Sequence, residues 1–212
     1  MDTARSVGVV FGRAIPVASD EAVLVAELQA ASEEAFNYLL AVYQNPVFNL
    51  ITHIIEDEAD AADVLQDVFV KIFKGIGRFR GHSSLRTWIY RIALHEASNH
   101  RRGWWRRRRR EPVSLDEDRT GSEALRAESR IRAETPYQAM EQTERQELVR
   151  RALASLAQPY RTVLVLREMG GFSYEEIAQV LGVSEGTVKS RLTRGRELLK
   201  RKLAGELRRT DV

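Results

Sequence analysis

The chain has 212 residues, 43% of them hydrophobic and 30% charged, with 33 Lys and Arg against 30 Asp and Glu. That is enough to bury one core or two small ones, and it excludes disorder throughout. Cysteine is absent, which excludes disulfides and thiolate metal sites and makes a reducing, cytoplasmic compartment the default expectation.

The N-terminal stretch MDTARSVGVVFGRAIPVAS has a short apolar run interrupted at Gly12, Arg13 and Pro16. No signal-peptide core can form there, and the spacing predicts a flexible lead-in over 1–19. The longest apolar runs, such as Val163 to Leu166, fall far short of the roughly 20 residues that a membrane helix needs, so no membrane insertion is expected. A net charge of +3 conceals a strong partition. From Ala14 to Val70 there are eleven acidic residues and no Lys or Arg. From Leu85 to Arg110 nine Arg stand against Glu96 alone, and from Ser184 to Arg209 nine Lys or Arg stand against three Glu. Two basic faces on an otherwise acidic protein point to a polyanion held at two places.

Helical periodicity runs through most of the chain and strand alternation is almost absent, which predicts an all-α fold. A broad apolar stripe from Leu39 to Ile55, with Pro46 as a kink point, gives one long helix. The next helix, Ala59 to Phe73, sets Val64, Val68, Ile72 and Leu65, Phe69, Phe73 on adjacent ridges, all six expected in the core. Its opposite face carries Asp63, Gln66, Asp67 and Lys71. Gly75, Gly77 and Gly81 break this helix, and Ser83 or Ser84 caps the next, LRTWIYRIALHEASNHRR. Trp88, Tyr90 and Phe79 are suited to stacking on unpaired bases. The run GWWRRRRREP, residues 103–112, follows. Its five adjacent arginines cannot all face one groove from a helix, so phosphate contacts without a base code are expected.

From Glu111 to about Thr135 no persistent apolar face exists, and a linker is expected. QELVRRALASLAQPYRTVLVLREM then supplies packing helices. In FSYEEIAQVLGVSEGTVKSRLTRGRELLKRKL, Ser173 and Glu176 form a capping box, Gly182 permits a left-handed turn and Ser184 caps a second helix: a helix-turn-helix. Val188, Leu192, Gly195, Leu199 and Leu203 share its inner arc. Ser190, Thr193, Arg194 and Lys200 lie opposite, flanked by Lys189, Arg191 and Arg196, a face suited to the DNA major groove. The segments therefore divide into two small helical domains, 20–106 and 137–207, a linker over 107–136 and a tail over 208–212.

HEASNH invites a metal-site reading, but His95 and His100 are five residues apart and stand 140° from one another on a regular helix, which prevents both from binding one ion. Phosphate loops, nucleophile elbows and paired carboxylates are likewise missing from the pattern. A one-component regulator would need a sensing or dimerising domain, for which the first domain gives no sign. Neither cofactor nor small-molecule ligand is expected.

DVLQDVFVKIF, FRGHSSLRTWIYRIALHEASNHRR, LAQPYRTVLVLRE and FSYEEIAQVLGVSEGTVKSRLTRGRELL together resemble the bacterial sigma factors of the extracytoplasmic function group, over about Asp20 to Leu207. The resemblance implies a transcription initiation factor without catalysis of its own, with sigma domain 2 over 20–106 and sigma domain 4 over 137–207. The partners it implies are core RNA polymerase, promoter DNA and an anti-sigma factor. By position, Asp63, Gln66 and Asp67 would meet the polymerase. Phe79, Arg80, His82, Ser83, Trp88, Arg91 and His95 would handle the minus-ten element. Thr187, Lys189, Ser190, Arg191, Thr193, Arg194 and Arg196 would hold the minus-thirty-five duplex, with Arg101, Arg102, Arg106 and Arg107 on phosphates. The sequence departs from the common pattern at His82, where an acidic residue is frequent, and at His95, where Asn is; both bear on base choice.

Overall fold

The structure, a computed structural model, describes residues 9–10, 13–14, 18–55, 57–108 and 136–210. Apart from a two-residue antiparallel ladder, Val9–Val10 with Arg13–Ala14, the regular elements among the described residues are helices joined by short turns and loops. The helices are α1 (Ala18–Gln29), α2 (Glu33–Thr52), α3 (Glu58–Gly75), α4 (Leu85–Arg108), α5 (Pro136–Ala154), α6 (Gln158–Leu164), α7 (Tyr174–Leu181) and α8 (Glu185–Thr210). A 3₁₀ turn, Ile76–Arg78, follows α3, and a π-helical turn, Val165–Met169, extends α6. The expected linker over Glu111–Thr135 and most of the expected lead-in lie outside the described residues.

Local chemistry accounts for the starts. Ser32 and Asp57 accept from the backbone N–H groups of Ala35 and Asp60 at 3.3 and 3.0 Å, each satisfying a donor that the first turn leaves orphaned. Pro46 lies inside α2, which continues unbroken to Thr52. Leu39, Val47 and Ile51 of α2 interlock with Val64, Val68 and Ile72 of α3 and with Leu85, Ile89 and Ala93 of α4, all of them buried. Removing one such large aliphatic side chain from water contributes about 1.5–3 kcal/mol.

Phe73 departs from the expected core. It is 58% exposed and stacks on Phe36 of α2 at 4.8 Å between ring centroids; Phe69, one turn earlier, is only half-buried. An i, i+4 ridge drifts about 40° around a helix at each step, so Leu65, Phe69 and Phe73 pass from buried through half-buried to exposed while Ile72 and Ile76 stay buried.

In the second half, Leu153, Leu156, Val163, Leu164, Ile177, Val180, Val188 and Leu192 are buried. Gly195 of α8 sits against α6. A Cβ there would lie 3.2 Å from the Leu164 side chain and 3.4 Å from the Tyr160 carbonyl, so the helices approach more closely than a larger residue allows.

The two halves are docked. Phe172, fully buried, meets the ring of Tyr90 edge-on at 4.6 Å, and the Arg86 guanidinium lies over the Phe172 ring at 3.8 Å while donating to the Gly170 carbonyl. Arg161, also buried, donates to the carbonyls of His53 and Leu156 at 3.0 and 3.1 Å. Arg91 Nη2 donates to the Gln179 carbonyl at 3.0 Å, and Arg101 to the side chain of Gln158. A cavity of about 20 Å³, room for about one water, remains between Pro46, Leu50, Tyr90 and Leu166.

Candidate nucleic-acid interfaces

The helix-turn-helix is built as its sequence implies. Ser173 Oγ accepts from the Glu176 N–H at 3.1 Å while Glu176 Oε2 accepts from the Ser173 N–H at 2.7 Å, a reciprocal cap that fixes the start of α7. Gly182 closes the helix at φ 65°, ψ 38°, a left-handed conformation that glycine adopts without a Cβ clash. Ser184 Oγ then accepts from the Thr187 N–H at 3.2 Å, so α8 starts at a defined angle. With Val188 and Leu192 buried, Lys189, Ser190, Thr193 and Arg194 are exposed on the far side. Thr193 donates to the Lys189 carbonyl and Ser190 to the Thr187 carbonyl, while Arg194 keeps only a long contact to Glu197, 3.4 Å. Arg191 and Thr187 are half-buried at the edges of this face. Arg196 differs: it forms two hydrogen bonds to Glu168 Oε1, at 3.0 and 2.7 Å, which raise its pKa and commit it to the π turn.

The second basic face begins at the loop after α3. Gln29 Nε2 donates to the carbonyls of Ile76 and Phe79 at 3.2 and 2.9 Å, and Glu21 Oε1 accepts from the Leu85 N–H at 2.9 Å. Two residues of α1 thus pin both ends of the loop that carries Phe79, Arg80, His82 and Ser83. Ser84 rather than Ser83 is the cap of α4, accepting from the Thr87 N–H at 3.1 Å. Arg80 and His82 are exposed and Ser83 half-buried. Phe79 and Trp88 pack on one another at 5.3 Å, and Trp88 also closes over Gly75, leaving each partly accessible. Tyr90 does not join them: it is 3% exposed beneath Phe172, and burial pushes its phenol up to about 12. A base cannot stack on it while the domains are docked.

Further along α4, His95 is exposed and contacts Glu96, whose other oxygen pairs with Lys71 of α3. His100 faces Asp60 instead, at 3.8 Å, so the two histidines of HEASNH serve different neighbours. Among the described residues no cluster of His, Asp or Glu could hold a metal ion. Arg102 donates to the Ser98 carbonyl at 3.4 Å. Helix α4 continues through Trp104, Trp105 and Arg106 to Arg108, while Arg109 and Arg110 lie outside the described residues.

On α3, Asp63, Gln66 and Asp67 are all exposed on one side. That side continues into Val70, 47% exposed, and Phe73. The acidic stripe therefore has an apolar end, one member of which, Phe73, periodicity assigned to the core.

An acidic three-helix body with a basic aromatic edge, joined to a helix-turn-helix with a basic outer face, defines a two-domain nucleic-acid-binding protein. Among the described residues no helix is long and apolar enough to cross a membrane. The profile of sigma-70 region 2 matches residues 39–110 and that of sigma-70 region 4 matches residues 146–199. The chain is 36% identical over 188 residues to the RNA polymerase sigma-H factor of Pseudomonas aeruginosa, covering 87% of this chain and 94% of the relative. It is 35% identical over 188 residues to the ECF RNA polymerase sigma-E factor of Escherichia coli, covering 88% and 96%. The fold also matches CnrH, solved in complex with the cytosolic domain of CnrY, with a TM-score of 0.62 and 24% identity over 87% of this chain and 97% of that one. A sigma factor RpoE from Bartonella quintana, solved with the anti-sigma factor NepR, gives 0.61 and 22% identity over 80% and 96%. The chain belongs to the extracytoplasmic function group of the sigma-70 family, and is a promoter-directing sigma factor.

Proposed function

We propose that the chain binds core RNA polymerase through the exposed side of α3, engages the minus-ten element through α4 and the loop before it, and holds the minus-thirty-five duplex with α8. The observation that carries this reading is the division of α8: Val188 and Leu192 are buried while Lys189, Ser190, Thr193 and Arg194 are exposed on the other side. Short hydroxyls among cations suit base edges and phosphates together. Among the described residues, Asp63 and Asp67 form no ion pair that would explain them as structural. The protein acts in the cytoplasm, has no catalytic activity of its own, and is held in check by an anti-sigma factor, the kind of partner with which one of its structural neighbours was solved.

The test is transcription in vitro. Purified chain added to core polymerase should confer initiation at defined start sites that core alone does not use. Tight DNA binding by the chain alone, with transcription by core unchanged, would overturn the reading.

A further inference from the structure

The junction between the domains carries an ionisable group that neither basic face uses. His53 is the C-cap of α2, half-buried, with its ring Nδ1 2.5 Å from the Asn49 carbonyl one turn back. A carbonyl only accepts, so Nδ1 carries a proton, and in the neutral ring Nε2 is the nitrogen still able to gain one. The last carbonyls of a helix are orphaned and form the negative end of its dipole. At α2 a cation from the other domain meets that end: Arg161 of α6, buried, donates from Nη1 to the His53 carbonyl at 3.0 Å and from Nη2 to the Leu156 carbonyl at 3.1 Å. Desolvation first, and then the charges of Arg161 and Arg150, push the His53 imidazole below its ordinary value. Arg150 of α5 is itself paired with Glu147, whose carboxylate lies 2.7 and 2.6 Å from its Nε and Nη2, which leaves Arg161 as the dominant cation. On the side of the first domain, Asp57 is exposed and caps α3, and Asp60 faces His100.

Both cations that oppose a charge on His53 therefore belong to the second domain. Coupling of this kind is reciprocal: if docking hinders protonation of the ring, protonation weakens docking by the same factor. We propose that His53 is a pH-sensitive latch between the domains: once its ring is protonated, the added charge at the end of α2 repels Arg161 and frees the second domain from the first. The imidazolium then supplies at the α2 terminus the positive charge that Arg161 withdraws, a place where the helix dipole favours a cation. Because the docked chain binds the proton less readily than the undocked one, docking is at full strength while the ring is neutral. It falls as pH drops through the range in which the undocked ring gains its proton. The other histidines do not share this position: His95 and His100 meet Glu96 and Asp60 within the first domain, and His82 is exposed on the loop before α4. The latch requires only the docked geometry, whichever nucleic acid the two basic faces bind.

The experiment is small-angle X-ray scattering of the full chain, with helicity followed by circular dichroism, from about pH 7.5 to about pH 5.5, where an imidazole ordinarily changes charge. The radius of gyration of the unaltered chain should rise across that interval at constant helicity. His53→Gln, whose amide can still donate to the Asn49 carbonyl but gains no charge, should stay compact throughout. His53→Lys, charged over the whole interval, should be extended throughout. An unaltered chain that stays compact at the lower pH, or is already extended at the upper one, would overturn the proposal. So would a His53→Gln protein that expands as the unaltered chain does, or a compact His53→Lys protein. Expansion in step with a loss of helicity would overturn it too, since it would report unfolding and not the release of intact domains.

Discussion

The docking of the two domains can be tested at Arg86. Its guanidinium sits 3.8 Å over the Phe172 ring and donates to the Gly170 carbonyl, so Arg86→Ala removes both contacts from an interface without emptying either core. A cation–π contact contributes about 0.5–2 kcal/mol and a hydrogen bond from a charged donor about 1.5–3 kcal/mol. Because Arg86 is half-exposed, the combined loss is taken at the low end, about 2–3 kcal/mol, or roughly a 30- to 150-fold shift of the docking equilibrium. Such a shift matters for promoter binding. Elements centred about 25 base pairs apart lie roughly 85 Å apart at ~3.4 Å per base pair, whereas a compact chain of this length has a radius of gyration of only about 17 Å. Under the proposed assignment of one element to each domain, docked domains cannot occupy both, so docking would compete with promoter binding. The absence of native cysteine allows a dye pair at Lys74→Cys and Arg201→Cys, both exposed positions in opposite domains. Single-molecule energy transfer should show a narrow, close population that Arg86→Ala converts into a broad, more distant one with unchanged helicity. A distribution that Arg86→Ala leaves unaltered would refute the assignment of Arg86 as an inter-domain tie.

Four further outcomes follow from the same geometry. His53 is half-buried beside Arg161; desolvation first, and then the charges of Arg161 and Arg150, push its imidazole below the ordinary value despite its hydrogen bond to the Asn49 carbonyl. The folded state thus binds the proton less readily than the unfolded state. Stability should fall as pH drops through the unfolded value of about 6.5, and denaturant titrations at pH 7.5 and 5.5 should show a smaller difference for His53→Gln. Gly195→Ala should destabilise the second domain by about 1–3 kcal/mol, because its Cβ meets Leu164 and the Tyr160 carbonyl, which thermal unfolding would register. Arg194→Ala should weaken duplex binding by about 1–3 kcal/mol and relax base selectivity, whereas Arg196→Ala, removing a residue tied to Glu168, should affect binding less; titrations against one duplex compare them. Asp67→Arg should reduce association with core polymerase while circular dichroism stays unchanged, since Asp67 is exposed.

How far the sequence could be read depended on the range of the interaction. The capping box at Ser173 and Glu176, the left-handed Gly182 and the cap at Ser184 are local, each satisfied within a few residues, and each forms as its spacing implies. The exposed outer face of α8 follows from the burial of Val188 and Leu192 by one helical period. Phe73 shows the limit of that logic: a ridge that drifts about 40° per i, i+4 step leaves the covered face by its third member, while Ile72 and Ile76 stay buried. Glu21 and Gln29, which hold the loop ahead of α4 from 64 and 47 to 50 residues away, leave no periodic trace at all. Tyr90 was legible as an aromatic on a basic helix, but its occupant is Phe172 from the other domain, a contact that no window of sequence contains.

The arginines carry the same lesson into function. A basic run reads as one polyanion-binding face, yet Arg86, Arg91, Arg101, Arg161 and Arg196 are spent on carbonyls, an aromatic ring, an amide and a carboxylate within the protein. Fixed-geometry guanidinium forks suit such roles as well as they suit phosphates. A count of positive charge therefore overstates the phosphates that the docked chain can neutralise. Since binding strength falls with salt in proportion to the phosphates contacted, undocking, which frees Arg86, Arg91 and Arg101, should steepen the salt dependence of DNA binding. Arg196, whose partner lies within its own domain, should contribute nothing to that change. The steepening would separate arginines that hold the domains together from those that only hold one domain's fold.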